Sequence, residues 1–286
     1  MTLEKHVQQF KREGFSIFPN FMHPERVAEV RAVLDLEFEK LFARDPNVRR
    51  RKIVPLLGHE VLGPMLKDHA LDPLMLDFAE RVMGPFVQLD SYEVSGFPIR
   101  DKSVAGDADR WHRDAFHTAA QWKNAYRAQG RLHEHKPYTP PLACNCLTYL
   151  QDMNKDTGPF RMIPGSHLDF TVIEKEQEHD QHPRQRFLEL KAGDMVFLHH
   201  DVLHTGTWNT SDHYRYFISN FVCRIGLPHR DTFELPVIHE LMKKARADND
   251  WRVLRFFGED DRFVTRQEKA WKNMAEEDKK ALIGSF

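Results

Sequence analysis

The feature that most narrows the folds open to this chain is a train of short strand-like runs through its middle. VQLDSYEVSGF, CNCLTYLQD, PFRMIP, RFLEL, DMVFLHH and HYRYFISNFVCR are rich in β-branched and aromatic residues and are bounded by Gly, Pro, Asn or Asp. Several such runs at modest spacing predict a β-sandwich or barrel of the jelly-roll kind. Helical patterns flank them. Residues 3–13 and 24–43 read as helices; in the second, Pro24 suits the first turn, and Val27, Val30, Leu34, Phe38 and Leu41 recur at helical spacing as one buried stripe. GFSIFPNF between them reads as a short strand. LDPLMLDFAERVMG reads as a further helix ending at Gly84 and Pro85, and residues 232–286 return to charged helical sequence anchored by Leu254, Phe256 and Trp271. The expected fold is therefore mainly β with flanking helices: a helical N-terminal region 1–85, a β core at about 86–225 and a helical C-terminal extension 226–286. No linker or composition break divides the 286 residues, so one domain is expected.

Lysine plus arginine (41) nearly balances aspartate plus glutamate (43), so no overall field draws the chain to nucleic acid or an anionic membrane. No apolar run is long enough to cross a bilayer, and the opening MTLEKHVQQFKREG lacks the apolar centre of a signal peptide. A cytoplasmic location is the default expectation. Cys144, Cys146 and Cys223 have neither the spacing of a zinc ribbon nor the density of a disulfide scaffold, and read as reduced core residues.

A mononuclear iron site for dioxygen chemistry needs two neutral imidazoles and one carboxylate on one face of the metal, with the other positions open. A strand supplies two of these ligands at i and i+2, which project to the same side. The resulting His-x-Asp signature occurs four times here: His112/Asp114, His167/Asp169, His199/Asp201 and His229/Asp231. Context separates them. His112 and Asp114 follow a strand-like stretch and precede the remaining strands, so a later strand can return a third ligand. The other three pairs read as loop or surface residues.

The best candidate for the third ligand is His204, in GDMVFLHHDVLHTGTWNTSDHYRYFISNFVCR, where a Gly-Asp turn starts a strand that His204 is expected to end. Eleven residues on, from 204 to 215, Arg215 opens the returning strand. Across such a hairpin its planar fork can reach the metal site and bind a carboxylate through two parallel hydrogen bonds.

These segments together resemble the phytanoyl-CoA hydroxylase family of iron(II) and 2-oxoglutarate dioxygenases. The resemblance covers roughly residues 5–225. FKREGFSIFPNFMHPERVAEVR is similar to the family's opening helix, strand and helix, WHRDAF to its metal motif, and DTGPFRMIPGSH to its Asn-Gly-Pro to Pro-Gly-Ser-His segment. The His204 to Arg215 spacing matches the distal ligand and carboxylate-binding arginine. The resemblance implies a double-stranded β-helix, a cupin-like jelly roll. It also implies iron(II), 2-oxoglutarate and O2, with succinate and CO2 released as a small-molecule C–H bond is oxidised, most simply by hydroxylation. Two departures stand out. Arg113 occupies the position between the proximal ligands where the family often has Gln, and the usual Lys-Pro-Pro stretch is not recognisable in VSGFPIRDKSVAGDADR. Asp114 fills the position that related halogenases leave open with Gly or Ala, which favours oxygenation.

Residues 115–141 form a strand-poor insertion directly after the proximal ligands. Lys123, Arg127, Arg131 and Lys136 stand there against Glu134, which points to a polar or anionic small-molecule substrate under a lid. Trp111, Arg113, Phe116 and Arg161 are the candidate substrate contacts. Two rival readings use the same ligands: a zinc hydrolase, which leaves Arg215 and GPFRMIPGSH without a role, and a cupin-like metal-binding module without turnover. Oligomeric state is not legible.

Overall fold

The computed structural model describes residues 1–45, 47–104, 109–114, 138–169, 171, 173–224, 235–259 and 275–278. Its framework is two antiparallel sheets. The larger contains β1 (Phe15–Phe18), β2 (Arg51–Ile53), β3 (Val87–Phe97), β4 (Ala143–Tyr149), β7 (Met195–His199) and β9 (Arg215–Arg224), in the order β1-β7-β4-β9-β3-β2. The smaller orders β6 (Arg186–Leu188), β5 (Phe160–Met162) and β8 (His204–Thr205) as β6-β5-β8. Strands remote in sequence are thus neighbours in the sheet, as a jelly roll requires.

Each predicted run forms at least one strand, with one correction. The run through DMVFLHHDVLH is not a single strand. β7 stops at His199, a turn closes with the Val202 N–H on the His199 carbonyl at 3.0 Å, and β8 restarts at His204 in the other sheet. His204 and Arg215 consequently do not pair across a hairpin. They belong to different sheets and line the same cavity.

Four helices, α1 (Leu3–Glu13), α2 (Pro24–Ala43), α3 (Leu62–Ala70) and α4 (Pro73–Met83), share a core with the larger sheet. Helix α2 begins at Pro24, and its buried stripe is Val27, Val30, Leu34, Phe38 and Phe42. The stripe ends on Phe42, with Leu41 only partly buried, because a period of 3.6 residues returns the core face four residues after Phe38. Phe38 is fully buried against Gly96 of β3, where an added Cβ would lie 2.2 Å from the ring. Removing such a phenylalanine costs about 3 to 5 kcal/mol. Helix α4 starts at Asp72, whose carboxylate accepts from the N–H groups of Leu74 and Met75. The helices Pro236–Ala247 and Trp251–Phe256 follow β9, with Leu254 and Phe256 buried as anticipated; Trp271 lies outside the described residues. No helix among the described residues is long and apolar enough to cross a membrane.

A second core lies between the sheets. Phe15, Leu147, Tyr149, Phe160, Met162, Leu188, Val196 and Leu198 fill it. Beside this packing the sheets splay around a cavity of about 240 Å³, and there the polar residues collect.

Candidate metal centre and active-site cavity

His112 and His204 meet as an antiparallel bridge. Each donates its backbone N–H to the other's carbonyl at 3.0 Å, and their ring centroids are 4.3 Å apart. Asp114 completes the set: its Oδ1 is 3.9 Å from His112 Nε2 and its Oδ2 is 3.8 Å from His204 Nε2. One donor atom from each residue lies within 4.8 Å of the others, and this is the only such group of His, Cys, Asp or Glu among the described residues. The unused ring nitrogens are engaged. His112 Nδ1 is 2.9 Å from the Arg110 carbonyl and His204 Nδ1 is 3.0 Å from the Val202 carbonyl, contacts that put the proton on Nδ1 and leave Nε2 as a lone-pair donor toward the centre. Burial, with His112 beside it, holds the His204 imidazole below its ordinary range, which keeps it neutral as a metal requires. The donor set fits a divalent iron in chemistry and in spacing.

Arg215 opens β9 and lines the same cavity. Its Nη1 donates to the carbonyls of Gly158 at 2.5 Å and Thr207 at 2.8 Å, and its guanidinium carbon lies 3.9 Å from the Phe97 ring centroid. Nε is buried and unpartnered. Burial, with Arg49 and Arg50 nearby, lowers Arg215 to about 10, so it remains a cation at neutral pH. A buried cation with an unused donor calls for an anion. Gly158 makes this placement possible: its φ is +74°, and an added Cβ would sit 2.5 Å from Arg215 Nη1.

The other sequence candidates lie elsewhere. Trp111, Arg113 and Arg161 do not line the cavity. Trp111 packs with Ile163 and Leu203 and donates its indole N–H to the Asp180 carbonyl at 2.8 Å. Arg113 turns away from the cavity that His112 and Asp114 line. It donates to the carbonyls of Ser166 and Thr171, each at 2.9 Å, and to that of Asp201, tying the metal motif to the two loops behind it. Arg161 sits on the face of β5 opposite Phe160, fully buried over the Trp111 ring. Phe116, the rest of 115–137 and His229/Asp231 lie outside the described residues.

The other two described His-x-Asp pairs are not part of the donor group, yet they are less superficial than a surface reading allows. His167, His199 and Asp201 are buried, and His167 Nε2 is 3.0 Å from the Lys11 carbonyl. Asp169 pairs with Arg184 at 2.8 Å.

Sequence reading passed over Asn145, which contacts Asp114, and the basic run Arg49 to Lys52 at the cavity. Arg49 pairs with Asp109 and Lys52 with Glu93, all four lining the cavity, while Arg51 turns the other way to Asp45. A run of four cations, Arg49 to Lys52, leading into the edge strand β2 was the available signal.

The sequence profile described as phytanoyl-CoA dioxygenase (PhyH) matches residues 10–217, most of the chain and all of the site above. The chain belongs to the phytanoyl-CoA dioxygenase family. A curated relative, the Fe(II)/2-oxoglutarate-dependent dioxygenase nvfF of Aspergillus novofumigatus, is 29% identical over 86% of this chain and 80% of its own length. The ectoine dioxygenase of Bordetella bronchiseptica is 27% identical over 62% of this chain, and that alignment spans 53% of the ectoine enzyme. Among solved structures, HygX from Streptomyces hygroscopicus, described with nickel, 2-oxoglutarate and hygromycin B bound, superposes with a TM-score of 0.59 at 16% identity, covering 82% of this chain and 94% of HygX. The 2-oxoglutarate-dependent epimerase SnoN gives 0.52 at 21% identity, covering 78% and 83%. These two establish the shared jelly-roll fold. This member of the phytanoyl-CoA dioxygenase family is an Fe(II)- and 2-oxoglutarate-dependent oxygenase, and the zinc hydrolase reading finds no support among its relatives.

Proposed function

We propose that His112, Asp114 and His204 hold the iron, that Arg215 holds the distal carboxylate of 2-oxoglutarate, and that the enzyme hydroxylates an unactivated C–H bond of a small anionic molecule. The observation that carries this reading is the buried Arg215 facing the same cavity as the three donors, with Nε unpartnered. When bound, iron and 2-oxoglutarate supply the oxidising chemistry, with succinate and CO2 as by-products.

The chain's own residues supply the geometry. The Nδ1 contacts fix both imidazoles, and Asp114 contributes charge to the same face. Arg215, held from behind by two carbonyls and flanked by Phe97, would hold the distal carboxylate of the co-substrate and so orient it in the cavity. Tyr149, Phe160 and Phe217 line the wall and exclude water from the reacting region. The helices α1–α4 share one core with the larger sheet, which supports a single catalytic domain.

The anionic substrate follows from the charges at the cavity. Iron, the 2-oxoglutarate dianion, Asp114 and Arg215 together are neutral. Arg49 is matched by Asp109 and Lys52 by Glu93, whereas Arg50, exposed at the same cavity, has no carboxylate partner among the described residues. The relatives support a small molecule: an ectoine dioxygenase, and a structure holding hygromycin B. The test is a metabolite screen for substrate-stimulated succinate release coupled to O2 uptake. Stimulation by carboxylates or phosphates, lost on replacing the acid by its amide or alcohol, is expected. Stimulation only by cations or neutral molecules would overturn the anionic assignment.

A further inference from the structure

Asn145 on β4 and Ser219 on β9 lie beside apolar cavity-lining residues, Leu147 and Tyr149 on one strand and Phe217 and Phe221 on the other, with Arg215 at the start of the β9 row. Sheet packing alone favours apolar side chains at both positions, because a buried polar group is costly unless it is bonded. Both are bonded, and to each other. Ser219 Oγ donates to Asn145 Oδ1 at 2.7 Å, and Asn145 Nδ2 donates to Asp114 Oδ2 at 3.3 Å. Ser219 is buried at 4% exposure, so its hydroxyl is shielded from competing water.

The order of donors is fixed by chemistry. An ionised carboxylate only accepts hydrogen bonds, so the amide NH2 must face Asp114, and the amide oxygen is left for the hydroxyl. We infer that Ser219 and Asn145 are positioning residues for the iron site: Ser219 orients the Asn145 amide, and Asn145 orients the Asp114 carboxylate. The inference rests on Asp114 being a ligand, as proposed above. Asp114 belongs to no strand, whereas Asn145 sits inside β4 between β7 and β9. The relay ties a loop ligand to the rigid part of the sheet.

The test uses full-length protein and iron(II) as the probe. Iron affinity is measured anaerobically by competition with a chromophoric chelator for wild type, Asn145→Ala, Ser219→Ala and Ser219→Thr, and for Asn145→Ala combined with Asp114→Ala. Thermal melting without metal checks that each variant folds. Asn145→Ala should weaken iron binding about ten- to hundred-fold, the range seen when an outer partner of a metal ligand is removed. Ser219→Ala should weaken it less, and Ser219→Thr should stay near wild type because the hydroxyl is retained. In the Asp114→Ala background, Asn145→Ala should change nothing further. Unchanged iron affinity in folded Asn145→Ala overturns the relay, as does an equal loss with Asp114 absent. Should Asn145→Ala not fold, unchanged affinity in Ser219→Ala, which removes a single oxygen, overturns it instead. Undiminished iron binding in Asp114→Ala would remove the ligand assignment itself, a separate failure.

Discussion

His112 and His204, from distant parts of the chain, exchange both backbone hydrogen bonds at 3.0 Å, so the separation of their imidazoles is set by main chain. A metal site built on such a pair keeps its shape when a side chain is cut away. His112→Ala, Asp114→Ala and His204→Ala are each expected to retain the wild-type circular dichroism spectrum while losing turnover and most of their iron affinity. A variant that keeps full iron occupancy and activity would remove that residue from the site.

Gly158→Ala tests whether close approach of backbone to guanidinium holds Arg215 in place. The new methyl would meet Arg215 Nη1 and the Thr207 carbonyl, each at 2.5 Å, at a backbone φ of +74°. The conformation alone costs about 1 to 3 kcal/mol. Both stability and 2-oxoglutarate affinity should fall, whereas an effect on stability alone would mean that the arginine does not depend on this contact.

A pH effect is expected from His69, whose ring nitrogens contact Tyr92 Oη at 2.8 Å and Thr148 Oγ1 at 3.0 Å between α3 and the sheet. Burial lowers it to about 4 in the folded protein against 6.5 when free. The unfolded chain therefore binds more protons between these values. Its contribution is complete above pH 6.5 and is lost as pH falls toward 4, by roughly 2 to 3 kcal/mol at about 1.4 kcal/mol per pKa unit. Chemical denaturation of metal-free wild type and His69→Leu between pH 4.5 and 7 should show a shallower decline in the variant. Parallel curves would contradict the assignment.

Much of this was legible from residue pattern. The run VQLDSYEVSGF is β3 from end to end, and Pro24 with the stripe behind it marks α2, because turn residues and periodicity act locally. The grouping of His112, Asp114 and His204 was legible because the first two share one strand-like segment and the third ends a later strand-like run. What escaped depended on tertiary choice. A two-residue β8 has too little pattern to announce that the chain changes sheets at His200–Leu203. Arg113 and Arg161 resemble pocket residues by nearness to the motifs, but Arg113 is drawn to the carbonyls of Ser166, Thr171 and Asp201, and alternation along β5 turns Arg161 to the face opposite Phe160. Asn145 looked like an ordinary polar residue in a strand until Asp114 folded over it.

The most direct test is an anaerobic titration of 2-oxoglutarate into the iron(II)-loaded protein, following the visible charge-transfer band of a keto acid chelating ferrous iron, for wild type, Arg215→Lys and Arg215→Ala. A charge-assisted hydrogen bond contributes about 1.5 to 3 kcal/mol, so Arg215→Ala should raise the half-saturating concentration about ten- to several-hundred-fold with iron affinity nearly intact. Lysine should recover part of the loss, since it restores the charge without the fork. An Arg215→Ala protein that binds 2-oxoglutarate as wild type does would contradict the assignment of the co-substrate to this cavity wall.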